Sequence, residues 1–467
     1  MTINCDILWK SEDIIKSTKG IDISFKFLKN KNVKGISIDT RTIKKNDLFF
    51  ALKGPNFDGH NFIEDALLKG AAGIVVSNKN DAKKYNGLLV KNTFLALEGL
   101  AKFSRKRFKG NVIAITGSNG KTSTKDMALK ILSQYGKTHA TEKNNNNKLG
   151  LFLTLSRLNK KYRNCILELG MNHINELREM SLISQPNFII ITNVSPSHIG
   201  NFKSEKQIAI AKSEIFIGLK KKGYIFLNSK NKWYNYLKNI ASNYTSNIFE
   251  FGSNNSLKNF ELKIKEIKSG IILKINNLII DLTHLPKHLS LNLTSIILLL
   301  QILKLDIKLI KNVIKNLKPS EGRGNFFQID LENSKNITII NDAYNANPES
   351  MLVSLNNFRN ISNKNFVIIL GDMHELGNKS VFYHKKLIPV LKNINPKTLI
   401  TIGKFSKILT DYFKDTFICE NYVDVEVLKK KFESFVKDND TILIKGSNAT
   451  GLFDFCIHLK KLYGGSK

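Results

Sequence analysis

An α/β architecture in three sections is what this sequence predicts, and three observations predict it. The 467 residues exceed one ordinary core, so two or three domains are expected. Apolar strand-like runs alternate with stretches of helical spacing along the chain, the pattern of α/β folds. A strand, a glycine loop and a helix follow one another directly between residues 112 and 135, the frame of a phosphate-binding parallel sheet.

The first section, 1–87, holds the strand-like runs Gly35 to Asp39, Asp47 to Leu52 and Gly73 to Ser77. The second, 88–318, opens with a helix around Phe94 to Phe108 and contains the glycine loop. The third, 319–467, has four apolar strands at Ile337 to Ile340, Phe366 to Leu370, Leu399 to Ile402 and Ile442 to Ile444. Each runs into a polar or glycine-bearing turn. Ligands collect at the carboxyl ends of strands in open parallel sheets, so a site is expected at those turns.

Composition excludes some function classes. No apolar run reaches the length needed to span a bilayer; Ser295 to Leu300 is soon broken by Gln301 and Lys304. Asp6, Glu12 and Asp13 near the start do not read as a secretory signal, so the cytoplasm is the expected location. A monomer is the expected state. Cys5, Cys165, Cys419 and Cys456 have no paired spacing, and reduced, mostly buried thiols are expected. The net charge is +33, from 72 Lys+Arg against 39 Asp+Glu. Nucleic-acid binding is one reading of that excess. Lys and Asn recur together everywhere, as in Lys29 to Asn32 and Lys230 to Lys232, without one basic stripe. Biased composition is therefore the reading, and no nucleic-acid partner is expected.

The chemistry starts at Val112-Ile113-Ala114-Ile115-Thr116, a short apolar strand. Gly117-Ser118-Asn119-Gly120-Lys121-Thr122-Ser123 follows, and then Met127, Ala128, Ile131, Leu132 and Tyr135 recur at helical spacing. Glycines let backbone N–H groups face phosphates, and the helix N-terminus adds partial positive charge. Lys121 would reach the outer phosphates and Thr122 would ligate Mg²⁺. The first glycine of the longer phosphate-loop pattern is absent, since Ile115 stands there. Two further strands end in polar groups: Glu168 closes Cys165 to Gly170, and His198 follows Phe188 to Asn193. If these strands flank the phosphate-loop strand, Glu168 and His198 converge on the triphosphate, a pairing suited to a divalent metal. Lys212, within Ala209 to Phe216, reads from its residues alone as one more lysine on a solvated helix face.

In this order the motifs resemble those of the Mur ligases, over nearly the whole chain. The matching residues are Asp39-Thr40-Arg41, Asp58-Gly59-His60, the phosphate loop, Thr141 through Asn147 with Gly150, and Glu168 to Asn172. They continue with Thr192-Asn193, His198, Lys212 with Glu214, and His288 with Asn292. The third section adds Gly322-Arg323, Tyr344-Asn345-Ala346-Asn347-Pro348, Leu370 to Met373 with Glu375-Leu376-Gly377, and Lys445-Gly446-Ser447. The Tyr344 to Pro348 and Gly371 to Gly377 runs look like the branch that adds D-alanyl-D-alanine. They argue against ligases that use folate or a single amino acid.

The resemblance implies an N-terminal domain for a UDP-sugar, a central P-loop ATPase-type domain with a parallel sheet, and a C-terminal Rossmann-like domain. It implies ATP and Mg²⁺ as cofactors, with UDP-MurNAc-tripeptide and D-alanyl-D-alanine as the substrates joined through an acyl phosphate. By the same resemblance Glu168 and His198 hold Mg²⁺, and Lys212 is a lysine carried as a carbamate. Asn292 meets the adenine, while Arg323 and Asp342 reach the nucleotide from the third domain. Asp39, Thr40, Arg41, Asp58 and His60 line the UDP pocket. Asn144, Asn147, Tyr344, Asn345 and Asn347 serve the substrates. Three positions depart from the family pattern: Lys143 replaces a glycine, Leu289 an asparagine and Asn448 an arginine. A nucleic-acid-stimulated ATPase and a non-catalytic relative are the competing classes; intact Lys121, Thr122, Glu168 and His198 speak against the second.

Overall fold

The protein is described here by a computed structural model, covering residues 7–29, 31–197, 199–257, 259–267, 270–331, 335–359 and 366–464. Three α/β units follow in chain order.

The first sheet is parallel, in the order Gly35–Ser37, Asp47–Phe50, Gly73–Val76, Leu88–Leu89. Its last strand lies just past residue 87, where the sequence reading ends the first section. The helix Thr93–Arg107 follows; the Asn92 side chain accepts the Leu95 N–H at 3.0 Å, and Arg105, Lys106 and Arg107 crowd its last turn. A polar cap at one end and cations at the other both suit a helix dipole.

The central sheet has six parallel strands, in the order Ile248–Phe251, Tyr224–Asn228, Phe188–Ile191, Asn111–Thr116, Asn164–Glu168, Thr138–Ala140. Asn111–Thr116 carries the phosphate loop, and the two strands expected to flank it do so. Ile115 pairs with Glu168 on one side, and Thr116 with Ile191 on the other. The chain builds one half of the sheet, then crosses this strand to build the other. The carboxyl end of Asn111–Thr116 is therefore a topological switch point, where open sheets leave a crevice.

An antiparallel sheet that the sequence reading did not anticipate covers the central unit. Its strands are Asn255–Leu257, Phe260–Ile267, Gly270–Ile275 and Leu278–Asp281. Phe260, Leu262, Ile271 and Leu273 share a core with Ile113, Ile115 and the helix Lys287–Ile302. The apolar stretch Ser295 to Leu300 lies in that helix, wholly buried. Among the described residues no helix is long and apolar enough to cross a membrane.

The third sheet runs Asn325–Leu331, Lys335–Asn341, Thr441–Lys445, Phe366–Gly371, Thr398–Ile402, Ile418–Tyr422; the first pair is antiparallel and the rest parallel. The four expected strands form its middle. Cys165 and Cys456 are buried, Cys419 is half-buried, and all three are free thiols; Cys5 lies outside the described residues.

Candidate active site between the second and third units

A cavity of about 900 Å³ opens over the carboxyl end of the phosphate-loop strand. Residues 118–123 form its floor, and the third unit supplies the facing wall with Arg323, Asp342, Tyr344, Asn345 and Asn347.

Gly117 and Gly120 have φ of +153° and +76°, and the second starts the helix Lys121–Leu132. A Cβ on Gly117 would stand 1.8 Å from Thr192 Oγ1, so only a glycine fits this close approach. The loop is fixed by polar side chains. Ser118 Oγ donates to the Ser195 carbonyl at 2.9 Å, Asn119 N–H to Asn193 Oδ1 at 2.8 Å, and Thr192 Oγ1 to the Asn119 carbonyl at 2.5 Å. Lys121 Nζ turns back onto the Gly117 carbonyl at 2.8 Å. Burial lowers its ammonium pKa, an effect that Glu168 opposes and Arg323 reinforces.

Glu168 is 2% exposed at the end of Asn164–Glu168. Its Oε1 accepts from Thr122 Oγ1 at 3.1 Å and from Asn146 Nδ2 at 2.8 Å. Its Oε2 is buried without a hydrogen-bond partner. An orphaned carboxylate oxygen beside a threonine hydroxyl is a fit for a hard divalent cation. Among the described residues no cluster of three or more His, Cys, Asp or Glu could hold an ion by itself. Mg²⁺ keeps waters and takes one or two carboxylates plus substrate phosphates, so one buried carboxylate beside a hydroxyl is the kind of partial shell it uses. His198, the second expected ligand, lies outside the described residues.

Lys212 corrects the reading made from its residues alone. It is 2% exposed at the end of the helix Glu205–Ser213, not on a solvated face. Burial first, and the charge of Lys121 second, push its ammonium pKa well below the ordinary lysine range.

The third unit closes over the loop through side chains. Arg323 Nη2 donates to Thr122 Oγ1 at 3.0 Å, with its guanidinium 4.5 Å from the Tyr344 ring centre. Asn347 Nδ2 donates to Asn119 Oδ1 at 2.5 Å, and Glu349 Oε2 accepts from Asn119 and Asn193 at 2.9 and 2.7 Å. Asp342 Oδ2 pairs with the buried Lys445 at 2.9 Å, and Lys445 also donates to the Asn345 carbonyl at 3.1 Å. Asn292 is buried against the loop and lines the cavity.

The run of asparagines divides its duties. Asn144 lines the cavity and Asn146 reaches Glu168, whereas Asn147 caps the helix Lys148–Ser156 by accepting the Gly150 N–H at 2.9 Å and does not line the cavity. Lys143 has φ +49°, which explains why glycine suits that position. Leu289 is buried, and Asn448 is exposed away from the cavity. Glu349 was not singled out in the sequence, and Asn146 and Asn193 entered only within the matching runs Thr141 through Asn147 and Thr192-Asn193, with no role of their own.

The first-unit residues form a separate cluster at the carboxyl end of their own sheet. Arg41 Nη2 pairs with Asp39 Oδ2 at 2.6 Å, and that contact lowers the Asp39 pKa. The Thr40 carbonyl accepts from Lys69 Nζ at 3.1 Å. His60 Nδ1 meets Asp58 Oδ1 at 2.6 Å, and its Nε2 accepts the Ser77 N–H at 3.0 Å. None of these residues lines the central cavity.

Residues 115–300 match the Mur ligase middle domain, 327–448 the Mur ligase glutamate ligase domain, and 32–105 the Mur ligase family catalytic domain. The chain is 34% identical over 455 residues to UDP-N-acetylmuramoyl-tripeptide–D-alanyl-D-alanine ligase of Rickettsia prowazekii, covering 96% of this chain and 98% of the relative. The chain belongs to the Mur ligase family. Another Mur ligase of that name, from Escherichia coli, is 31% identical over 89% of this chain and 91% of its own. A crystal structure of MurF from Acinetobacter baumannii superposes with a TM-score of 0.80 at 25% identity, covering 97% of this chain and 99% of that one. MurF of Thermotoga maritima, solved with ADP, shares the fold at a TM-score of 0.71 and 23% identity, over 91% of this chain and 97% of its own. This Mur ligase is thus a ligase of a family that uses ATP.

Proposed function

We propose that this Mur ligase joins D-alanyl-D-alanine to UDP-MurNAc-tripeptide, giving the UDP-MurNAc-pentapeptide used for peptidoglycan. The observation that carries this reading is one cavity lined by Lys121, Thr122 and Glu168 on one side and by Arg323, Asp342, Tyr344, Asn345 and Asn347 on the other. Relatives of this name align over nearly the full chain.

An oxygen of the tripeptide's terminal carboxylate attacks the γ-phosphorus of ATP. The bond to the bridging oxygen breaks and ADP leaves, with an acyl phosphate formed. The D-alanyl-D-alanine amine then attacks the acyl carbon, loses a proton, and expels inorganic phosphate. A carboxylate and a triphosphate repel each other, so catalysis here is positioning and charge neutralisation. Bound Mg²⁺, held by Thr122, Glu168 and His198, would supply part of that neutralisation. Lys121 swings from the Gly117 carbonyl to the outer phosphates, and Arg323 moves its guanidinium from Thr122 to the developing charge. Lys212, biased by burial toward the neutral amine, is suited to take up CO₂ as a carbamate and present a carboxylate. Asp39, Thr40, Arg41, Asp58 and His60 hold the UDP end, remote from the reacting carboxylate. Asn345 and its neighbours receive the dipeptide.

The test is isotopic. Tripeptide substrate labelled with ¹⁸O in its terminal carboxylate should pass one ¹⁸O into each released phosphate. Unlabelled phosphate would contradict the acyl-phosphate step.

A further inference from the structure

Lys125 stands one turn beyond Lys121 on the phosphate-loop helix and is 3% exposed. A buried ammonium is costly unless its hydrogens are used. Here they are: Nζ donates to the Thr141 carbonyl at 3.0 Å and the Lys143 carbonyl at 3.3 Å, and pairs with Asp126 Oδ1 at 3.1 Å. The other Asp126 oxygen accepts from Ser320 Oγ at 2.7 Å, at the start of the third unit.

The two carbonyls belong to the loop that surrounds Glu168. Thr141 Oγ1 accepts the Glu168 N–H at 3.0 Å. Asn146 Nδ2 donates to Glu168 Oε1 at 2.8 Å, and the Asn146 carbonyl accepts the Gly170 N–H at 2.8 Å. The loop thus grips Glu168 by its backbone, by its carboxylate and by the chain two residues on. Two features weaken the loop's own preference for this shape: Lys143 is at φ +49°, and the segment 141–147 is neither helix nor strand. Part of its geometry is held from outside, and Lys125 supplies two of those contacts from the helix that also carries Lys121 and Thr122.

We propose that Lys125 is a positioning residue for the metal carboxylate: it sets the 141–147 loop so that Asn146 occupies Glu168 Oε1 and leaves Oε2 free for the cation. The proposal rests on the reading of Glu168 as a metal ligand. It also gives the phosphate side and the metal side of the site one common strut, with Ser320 linking both to the third unit.

The test uses the full chain loaded with ADP and measures Mn²⁺ affinity from the electron paramagnetic resonance signal of free Mn²⁺. Partners that orient a metal ligand typically contribute 10–100-fold in affinity. Lys125→Met should weaken Mn²⁺ binding about tenfold, and Asn146→Ala should do likewise. The double variant should be no weaker than the worse single one, because both act through the same carboxylate. Wild-type affinity in Lys125→Met, or effects that add, would overturn the proposal. Glu168→Gln separates the two readings. If it too binds Mn²⁺ normally, the metal role of Glu168 falls; if it alone weakens binding, only the role of Lys125 falls. Should Lys125→Met not fold, Lys125→Gln keeps an N–H donor and should bind Mn²⁺ with intermediate affinity. Failure of both to fold would make Lys125 a core strut and would overturn the positioning role.

Discussion

Lys121 and Lys212 are two ammonium groups in one neighbourhood, and burial lowers the pKa of both. Their fates in turnover differ. On the proposed reading Lys121 gains the triphosphate as its partner, so Lys121→Ala should lower kcat at least about a hundredfold, with UDP-substrate binding largely intact by calorimetry. Full turnover would mean that the phosphate loop is misassigned. Lys212→Ala should be inactive and partly rescued by short carboxylic acids, which can supply the missing carboxylate; a fully active variant would remove the carbamate role. Linkage adds a stability signature. The folded Lys212 pKa lies below its unfolded value of about 10.4, so the unfolded chain binds more protons and stability rises with pH up to that value. In CO₂-free buffer, Lys212→Met should flatten that rise and be more stable than wild type at pH 7, as urea unfolding across pH would show. At this scale the sequence was partly mute. Lys212 looks like any lysine until Ile208, Ala209, Ala211 and Ile215 are seen to bury its helix. Four asparagines in a row cannot say that Asn146 turns to Glu168 while Asn147 caps a helix.

The phosphate loop was the most legible element, because the apolar period changes from strand to helix across Gly117 to Thr122. Its geometry makes a sharp prediction. Gly120 is in the left-handed region, which costs other residues about 1–2 kcal/mol, and an added Cβ would stand 2.5 Å from Asn292 Nδ2. Gly120→Ala should weaken ADP binding about tenfold, the equivalent of ~1.4 kcal/mol, as titration calorimetry would report; unchanged affinity would show that the loop tolerates a side chain. The antiparallel sheet was illegible for a physical reason. Its hairpin turns at Asn276, φ +50°, beside Asn277, but asparagine marks no turn in a chain where it is everywhere. Its long strand Phe260–Ile267 carries Glu261, Lys263, Lys265 and Glu266, whose charges hide the inward Phe260 and Leu262. The edge strand Asn325–Leu331 was missed likewise, since Asn325, Gln328 and Asp330 interrupt it.

Across the whole molecule the third unit meets the central one through polar contacts: Arg323 on Thr122, Asn347 and Glu349 on Asn119, Ser320 on Asp126. These contacts bring polar and charged groups of two sheets to one cavity, whereas the cluster at Asp58 and His60 remains on the first sheet. A long substrate with a nucleotide at one end and a reacting carboxylate at the other fits that separation. The charge of +33 enters differently. It follows from a Lys/Asn-rich composition, so ATP turnover should be indifferent to added RNA or DNA; stimulation by either would revive the nucleic-acid reading. On the proposed function, one cavity couples ATP to the joining of two particular substrates. Phosphate release from Mg·ATP, measured with UDP-MurNAc-tripeptide and D-alanyl-D-alanine added separately and together, tests it most directly. Sustained release is expected only with both present, matched by one UDP-MurNAc-pentapeptide per phosphate. No release with both, but turnover with another acid–amine pair, would contradict the substrate assignment while leaving the ligase fold in place.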